Sequence, residues 1–250
     1  MKFTADQIAS YKTNGYLILN DLMPAAMRDE VMANASRLAA AATFAEDTPI
    51  VKWDQRVVAG EVKLKPEDRE LGVFKLHHPY KHDAWFRDLL NRMPELPGVR
   101  QLLGNDLYCI TQQLVMKPSG HGQWQPYHQD AFYFEYTPSD GCAIWTALDA
   151  ATVANGCLWI RPGSHLGPIL NHDVPKDVNN LNKGFLEAEG IARDSGIPVE
   201  LPAGSAVLFH NKLLHMSGPN NSPQRRRALV THYASTHWTY TGDIPTERIA

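Results

Sequence analysis

Three residues in this sequence have the types and spacing to hold a redox metal. In the run YHQDAFYF, His128 and Asp130 stand two apart. If that run is a strand, alternate side chains share a face, so both project into the same interior. His215, in HNKLLHMSG, comes after the apolar run SAVLFH and supplies a second imidazole. Two imidazoles and one carboxylate on one face of a ferrous ion leave the opposite positions open to a bidentate oxoacid and to O2. An HxD pair alone is a weak signal, and His215 and Arg226 give it weight.

Arg226 lies eleven residues beyond His215, at the start of RRALVTHY, and spacing across one hairpin could put the two on facing strands. Its planar fork suits the distal carboxylate of 2-oxoglutarate, which accepts two parallel hydrogen bonds. Arg225 and Arg227 are rivals, because alternation turns both to the face opposite Arg226. The bland alternative is three solvated arginines at a turn. His210, at the end of SAVLFH, reads as a hydrogen-bonded or core residue. The remaining histidines (His77, His78, His82, His121, His165, His172, His232 and His237) have no comparable partner spacing and read as surface or packing residues.

The elements that must position these groups follow from local pattern. Thr4 with Gln7 forms a capping box and Gly15 a stop, predicting a helix over residues 5–14. Residues 16–19 read as a strand. Pro24 and the Ala-rich stretch to about residue 42 predict a second helix. Residues 43–82, with Pro49, Pro66 and Pro79 and no clear period, read as loop-rich, and residues 83–103 as helical with interruptions at Pro94 and Pro97. From Leu107 the texture changes to short β-rich runs separated by Pro, Gly, Asn and Ser, an antiparallel all-β pattern. The longest interruption, residues 163–196, has the length of a functional loop, and residues 239–250 read as a surface tail.

The stretch from Leu114 to Ala234 resembles the phytanoyl-CoA dioxygenase family of Fe(II)- and 2-oxoglutarate-dependent oxygenases. HQD at 128–130, PSDGCAIWTALD at 138–149, NGCLWIRPGSH at 155–165 and HMSGPNNSPQRRRA at 215–228 carry the resemblance, in the family's order. It implies a mainly β fold with flanking helices, the double-stranded β-helix or cupin-like jelly roll. The expected organisation is one domain over residues 1–250, with helices at about 4–42 and the β-helix core at about 106–237. The resemblance places the iron ligands on His128, Asp130 and His215 and the 2-oxoglutarate arginine on Arg226. It adds Gln113, Gln129, Trp145, Ser217 and Lys75 as co-substrate contacts. Ideal alternation points Gln129 away from its neighbours, so the strand must end, bulge or twist there. Trp145 reads equally as core, and Ser217 as a turn cap.

The implied activity is turnover of 2-oxoglutarate and O2 to succinate and CO2, with oxidation of a small organic substrate, by default hydroxylation. A non-oxidative cupin-like metal protein or isomerase is the alternative, disfavoured by Arg226. A catalytically silent binding homologue is disfavoured by the intact ligand set. Acyl-CoA thioesters, with Lys52, Arg56, Lys63 and Lys65 available to their phosphates, stand beside small amines, amino-acid derivatives, phosphonates and natural-product intermediates as substrate classes. A net charge of −3 supplies no basic excess for nucleic acid. No apolar run approaches a membrane span or a signal-peptide core, which predicts a cytoplasmic protein. The three cysteines form no disulfide or zinc pattern and read as buried free thiols. Nothing in the sequence sets the oligomeric state.

Overall fold

A computed structural model describes residues 1–120, 123–134, 136–175, 185–240 and 247–250. Thr4 caps α1 (Ala5–Asn14) as its sequence predicts. Its hydroxyl accepts from Gln7 N at 3.2 Å, and the Gln7 side chain accepts from Thr4 N at 2.9 Å. Gly15 ends the helix at φ 82°, a left-handed conformation open to a residue without Cβ. β1 (Tyr16–Leu19) and α2 (Ala25–Ala41) come next, with Pro24 just ahead of α2.

The segment expected to be loop-rich is more ordered than its composition suggests. It contains β2 (Val51–Trp53), α3 (Gln55–Val58), β3 (Val73–His77) and α4 (Pro79–His82). β2 and β3 extend a sheet at its edge, and partner strands far along the chain supply the pairing that local pattern could not reveal. α5 (Ala84–Leu90) and α6 (Leu96–Leu103) precede β4 (Leu107–Lys117), β5 (Gln125–His128), β6 (Tyr136–Thr137), β7 (Cys142–Ala147) and β8 (Leu158–Ile160). The chain continues through β9 (His172–Asp173), β10 (Glu187–Ala188), β11 (Ile197–Val199), β12 (Ala206–His210), β13 (His215–Ser217), β14 (Arg226–Ser235), β15 (Thr239–Tyr240) and β16 (Glu247–Ile249).

All strand pairs among the described residues are antiparallel. The larger sheet runs β1-β12-β7-β14-β4-β3-β2, with β16 also on β4, and the smaller runs β11-β8-β13-β5. This is the double-stranded β-helix expected from the family resemblance. Alternation decides which side chains meet. Ala143, Trp145, Val207, Phe209, Ala228 and Val230 of the larger sheet pack against Leu158, Ile160 and Val199 of the smaller. Their neighbours Cys142, Ile144, Leu208 and Leu229 face outward, against α1, α2, α5 and α6 through Tyr11, Val31, Phe86 and Val99. The larger sheet is therefore buried on both faces, which accounts for its nearly unbroken apolar strands.

The C-terminal stretch departs from the expected surface tail. β16 pairs with β4 through Glu247↔Cys109 and Ile249↔Leu107, and Ile249 is buried. Residues 241–246 of that stretch, His121 and residues 176–184 of the long interruption lie outside the described residues. The described parts of the interruption hold a 3₁₀ turn at Ser164–Leu166 and the paired strands β9 and β10. Among the described residues no helix is long and apolar enough to cross a membrane.

A carboxyl group lies inside the core. Glu95, fully buried ahead of α6, accepts a hydrogen bond from the Tyr233 hydroxyl at 2.9 Å. Burial raises its carboxyl from an ordinary 4.5 to about 7. The unfolded chain ionises first as pH rises, so the stability attached to the protonated form is complete below pH 4.5 and is lost as the pH climbs to about 7. Glu95→Gln keeps the acceptor and removes the titration. Its melting temperature relative to wild type should rise between about pH 5 and pH 8, corresponding to on the order of 3 kcal/mol. Calorimetry across that range checks this, and a difference constant with pH would refute it.

Candidate active site

A cavity of about 340 Å³ opens between the two sheets. His128 closes β5 and His215 opens β13, and the register sets the two opposite one another, with ring centroids 4.1 Å apart. Each ring is fixed through Nδ1 to the backbone carbonyl two residues earlier. His128 bonds Pro126 O at 2.8 Å and His215 bonds Leu213 O at 2.9 Å. An Nδ1–H bonded to a carbonyl leaves Nε2 as the free lone pair, the arrangement that orients imidazole ligands.

Asp130 is not on the strand. β5 ends at His128, Gln129 is extended, and Asp130 starts a 3₁₀ turn spanning Asp130–Phe132. Its carboxylate lies 3.5 Å from His128 Nε2, 3.7 Å from His215 Nε2 and 3.0 Å from His232 Nε2. One donor atom from each of His128, Asp130 and His215 can be chosen so that all lie within 4.8 Å of one another, a set able to hold a metal ion. Burial opposes ionisation of Asp130. The His215 and His232 imidazoles, the adjacent His128 ring and the hydrogen bond from His232 outweigh it, holding the carboxyl well below its usual range. Burial, reinforced by His128, lowers His215 to about 4 despite Asp130. At neutral pH the site offers an anionic oxygen and a neutral imidazole nitrogen, the forms that bind metal.

The turn that frees Asp130 sends Gln129 the other way. Its amide nitrogen donates to Lys212 O at 2.8 Å and Pro168 O at 3.2 Å, and its oxygen accepts from Leu170 N at 2.8 Å. Gln129 thus ties three chain segments together behind the ligands and does not line the cavity. The other predicted contacts, Gln113, Trp145, Ser217, Lys75 and Arg226, do line it.

β14 resolves the three arginines by alternation. Arg225 turns outward to Glu70 at 2.9 Å, and Arg227 makes a two-pronged pair with Asp149 at 2.8 and 2.7 Å. Arg226 turns inward and is 1% exposed, 5.1 Å from the Trp145 ring, with Nε and Nη1 lacking any partner. Burial lowers it to about 10, so it stays charged at neutral pH. Lys117, its cross-strand neighbour, is also buried, and its ammonium donates to Gln123 O at 2.6 Å and to Ser217 O and Gly218 O. Burial and Arg226 push Lys117 well below the ordinary lysine range. This end of the cavity is a buried positive pole with donors left open, suited to a carboxylate.

Sequence reasoning missed part of the wall. His232, read as a packing residue, faces Asp130 from β14. Its even spacing from Arg226 along one strand was the available signal. His77 and His78 also line the cavity, as do Tyr133, Phe134 and Phe185. The first two were hidden because β3 was read as loop. His172 accepts from Gln129 N at 3.0 Å behind the ligands. His210 sits outside the cavity, accepting from Lys212 N at 3.0 Å, as expected.

A family model described as phytanoyl-CoA dioxygenase matches residues 11–228. A probable phytanoyl-CoA dioxygenase of Caenorhabditis elegans is 30% identical over 242 residues, covering 93% of this chain and 75% of the relative. The human peroxisomal phytanoyl-CoA dioxygenase is 30% identical over 253 residues, covering 95% and 70%. Among solved structures, EvdO2 from Micromonospora carbonacea var. aurantiaca, complexed with 2-oxoglutarate, superposes with a TM-score of 0.71 at 24% identity over 98% of this chain and 96% of that one. The epimerase SnoN, in complex with Fe3+, alpha ketoglutarate and nogalamycin RO, gives a TM-score of 0.69 at 19% identity over 95% and 85%. These structural likenesses are likenesses of fold.

The placement of Gln129 generates a test. Gln129→Ala strips partners from part-buried backbone groups, a loss of at most about 1 to 3 kcal/mol each, so the melting temperature should fall by a few degrees. The affinity of the folded, metal-loaded protein for 2-oxoglutarate should change far less than in Arg226→Ala. Calorimetric titration of both variants decides it, and equal losses would return Gln129 to the co-substrate contacts.

Proposed function

The chain belongs to the phytanoyl-CoA dioxygenase family of Fe(II)- and 2-oxoglutarate-dependent oxygenases, and from that premise we propose how its own residues divide the work. His128, Asp130 and His215 hold the iron. Arg226 holds the distal carboxylate of 2-oxoglutarate, with Gln113, Trp145, Ser217 and Lys75 around the same molecule. A small organic substrate is oxidised, by default hydroxylated. The observation that carries this reading is the inward Arg226, charged, buried and open at two nitrogens, in the same cavity as the three ligand side chains.

The donor set suits the metal: two imidazoles and a carboxylate are borderline and hard ligands on one face, the set that leaves room for exchangeable partners on ferrous iron. Bound there, the iron supplies the oxidising chemistry, in which 2-oxoglutarate and O2 become succinate and CO2 and one oxygen atom is available to the substrate. The protein positions and insulates. The Nδ1 bonds to Pro126 and Leu213 aim both imidazoles. His232 bonds the Asp130 carboxylate and limits its rotation. Arg226 gives the co-substrate one orientation, and the apolar walls from Trp145, Leu158, Phe209 and Val230 exclude water from it. We read residues 1–250 as one working unit. Three free, buried cysteines support a reducing compartment, the cytoplasm.

His215→Ala should lose iron and all succinate formation. Arg226→Ala should keep iron but raise the 2-oxoglutarate dissociation constant at least about 30-fold, equivalent to roughly 2 to 5 kcal/mol for a desolvated charged pair. Anaerobic titration of 2-oxoglutarate into the Fe(II) protein, and then succinate measurement on admitting O2, reads both. If Arg225→Ala or Arg227→Ala gave the rise and Arg226→Ala did not, the assignment would fail.

A further inference from the structure

The β3 edge of the cavity carries two histidines that the assigned chemistry leaves unused. Lys75 and His77 alternate on β3 and both face the cavity, while Leu76 between them is buried in the outer core. By the same alternation His78 should point away. Its backbone instead adopts φ 48°, ψ 49°, a left-handed conformation that a residue with Cβ seldom enters. The reversal brings its ring back to the cavity and stacks it on His77, with centroids 3.9 Å apart and planes at 29°. Bonds from His77 N to Ile50 O at 2.7 Å and from His78 N to Gln112 O at 3.0 Å fix the backbone on both sides. Neither ring has a hydrogen-bond partner among the described residues.

The charged and titratable groups acting on the pair are Lys75 on β3, Lys52 on β2, Lys81 on α4 and His232 on β14. The carboxylates of Asp47, 3.8 Å from Lys52 and also acting on Lys75, and of Asp130, 3.0 Å from His232, meet those groups and not the two rings. Burial, then Lys75, Lys52 and Lys81, lowers His77 to about 4. Burial, then His77, Lys81, Lys75 and His232, lowers His78 to about 3. At neutral pH each ring is uncharged and retains one N–H to donate. Two open donors in a positive field disfavour a cationic group, give a neutral group no field contribution, and favour an anion.

We infer that the stacked His77 and His78 form the subsite that recognises the substrate, and that it takes an anionic oxygen group, a carboxylate or a phosphoryl group, borne by the substrate and separate from both carboxylates of 2-oxoglutarate. The inference rests on Arg226 being the 2-oxoglutarate anchor, with Lys75 and Gln113 among the contacts of that molecule, which leaves the His77 and His78 rings at the end of β3 to the substrate. Stacking holds the rings side by side, so one oxyanion can accept from both. Its charge would offset the lysines and make each imidazole easier to protonate.

The test uses protein loaded with redox-inert Zn(II) and saturating 2-oxoglutarate and labelled with 15N in its histidine rings. Acetate, acetamide and methylammonium are titrated as probes of one size and three charges, and inorganic phosphate as the second anion. Acetate or phosphate should move the His77 and His78 signals saturably and raise their apparent pKa by on the order of one unit. Whichever binds tighter identifies a carboxylate or a phosphoryl source, whereas acetamide and methylammonium should bind at least about 10-fold more weakly. His77→Phe, which keeps the stack without the N–H, and His78→Asn, which tolerates the left-handed backbone, should each weaken the anion about 10-fold. Equal binding of acetamide, preference for methylammonium, or no saturable shift would overturn the inference, and the probe series on the unsubstituted protein decides this even if a variant does not fold. Visible absorption of the anaerobic Fe(II) protein on adding 2-oxoglutarate separates the two readings. Failure there removes the proposed function itself, and success there with no anion at the histidines removes this inference alone.

Discussion

A guanidinium held away from water with two of its nitrogens unpartnered is the constraint around which the cavity is organised. Isolated burial of such a charge is expensive, and among the described residues no carboxylate meets Arg226 although one each meets Arg225 and Arg227. Lys117 next to it is satisfied by backbone carbonyls, which cannot neutralise a charge. Under the proposed function, the anion that offsets this charge is the distal carboxylate of 2-oxoglutarate. The binding energy it gains comes from a cost already incurred in folding, which the burial of the larger sheet on both faces sustains.

The metal end of the cavity obeys a different logic, in which rigidity comes from the backbone. His128 and His215 use the same local device, an Nδ1 bond to the carbonyl two residues back, and His172 repeats it with Leu170 O at 2.9 Å behind them. Each ring is aimed by its own strand end. Asp130 cannot be aimed that way, because it stands on a turn. Contact with His232 from the opposite sheet orients its carboxylate, and the three hydrogen bonds of Gln129 hold the turn in place. The smaller sheet thus carries two ligands, its end releases the third, and the larger sheet steadies that third one.

The cavity wall away from the metal-ligand set comes in part from stretches of the chain with the least regular sequence. β2 and β3 add an edge to the larger sheet and bring Lys75, His77 and His78 beside Gln113, while Phe185 arrives from the long interruption and Tyr133 and Phe134 from the turn after Asp130. β2 is the edge strand, and β3 lies between it and β4, so the residues of β3 are held by pairing on both sides.

Much of the reactive centre was legible in the linear sequence because strand alternation is local. The opposite parity of Arg226 to Arg225 and Arg227 and the capped helix at 5–14 need only period-two or capping arguments, and the family resemblance supplied the choice of Arg226 and the remaining identities. Gln129 was misplaced for the same reason: the resemblance counted it with its neighbours, whereas the turn at Asp130 sends its side chain to the loops behind. Val73–His77, Glu247–Ile249 and the role of His232 were not legible. A three- or five-residue strand is stabilised by hydrogen bonds to a partner tens of residues away, and which buried histidine meets which carboxylate depends on two sheets folding face to face. Sequence marked the His128, Asp130 and His215 set through residue type and, with the resemblance, Arg226 as the proposed anchor. Tertiary structure alone decided what surrounds them, because edge pairing and inter-sheet contact are long-range interactions with no local period.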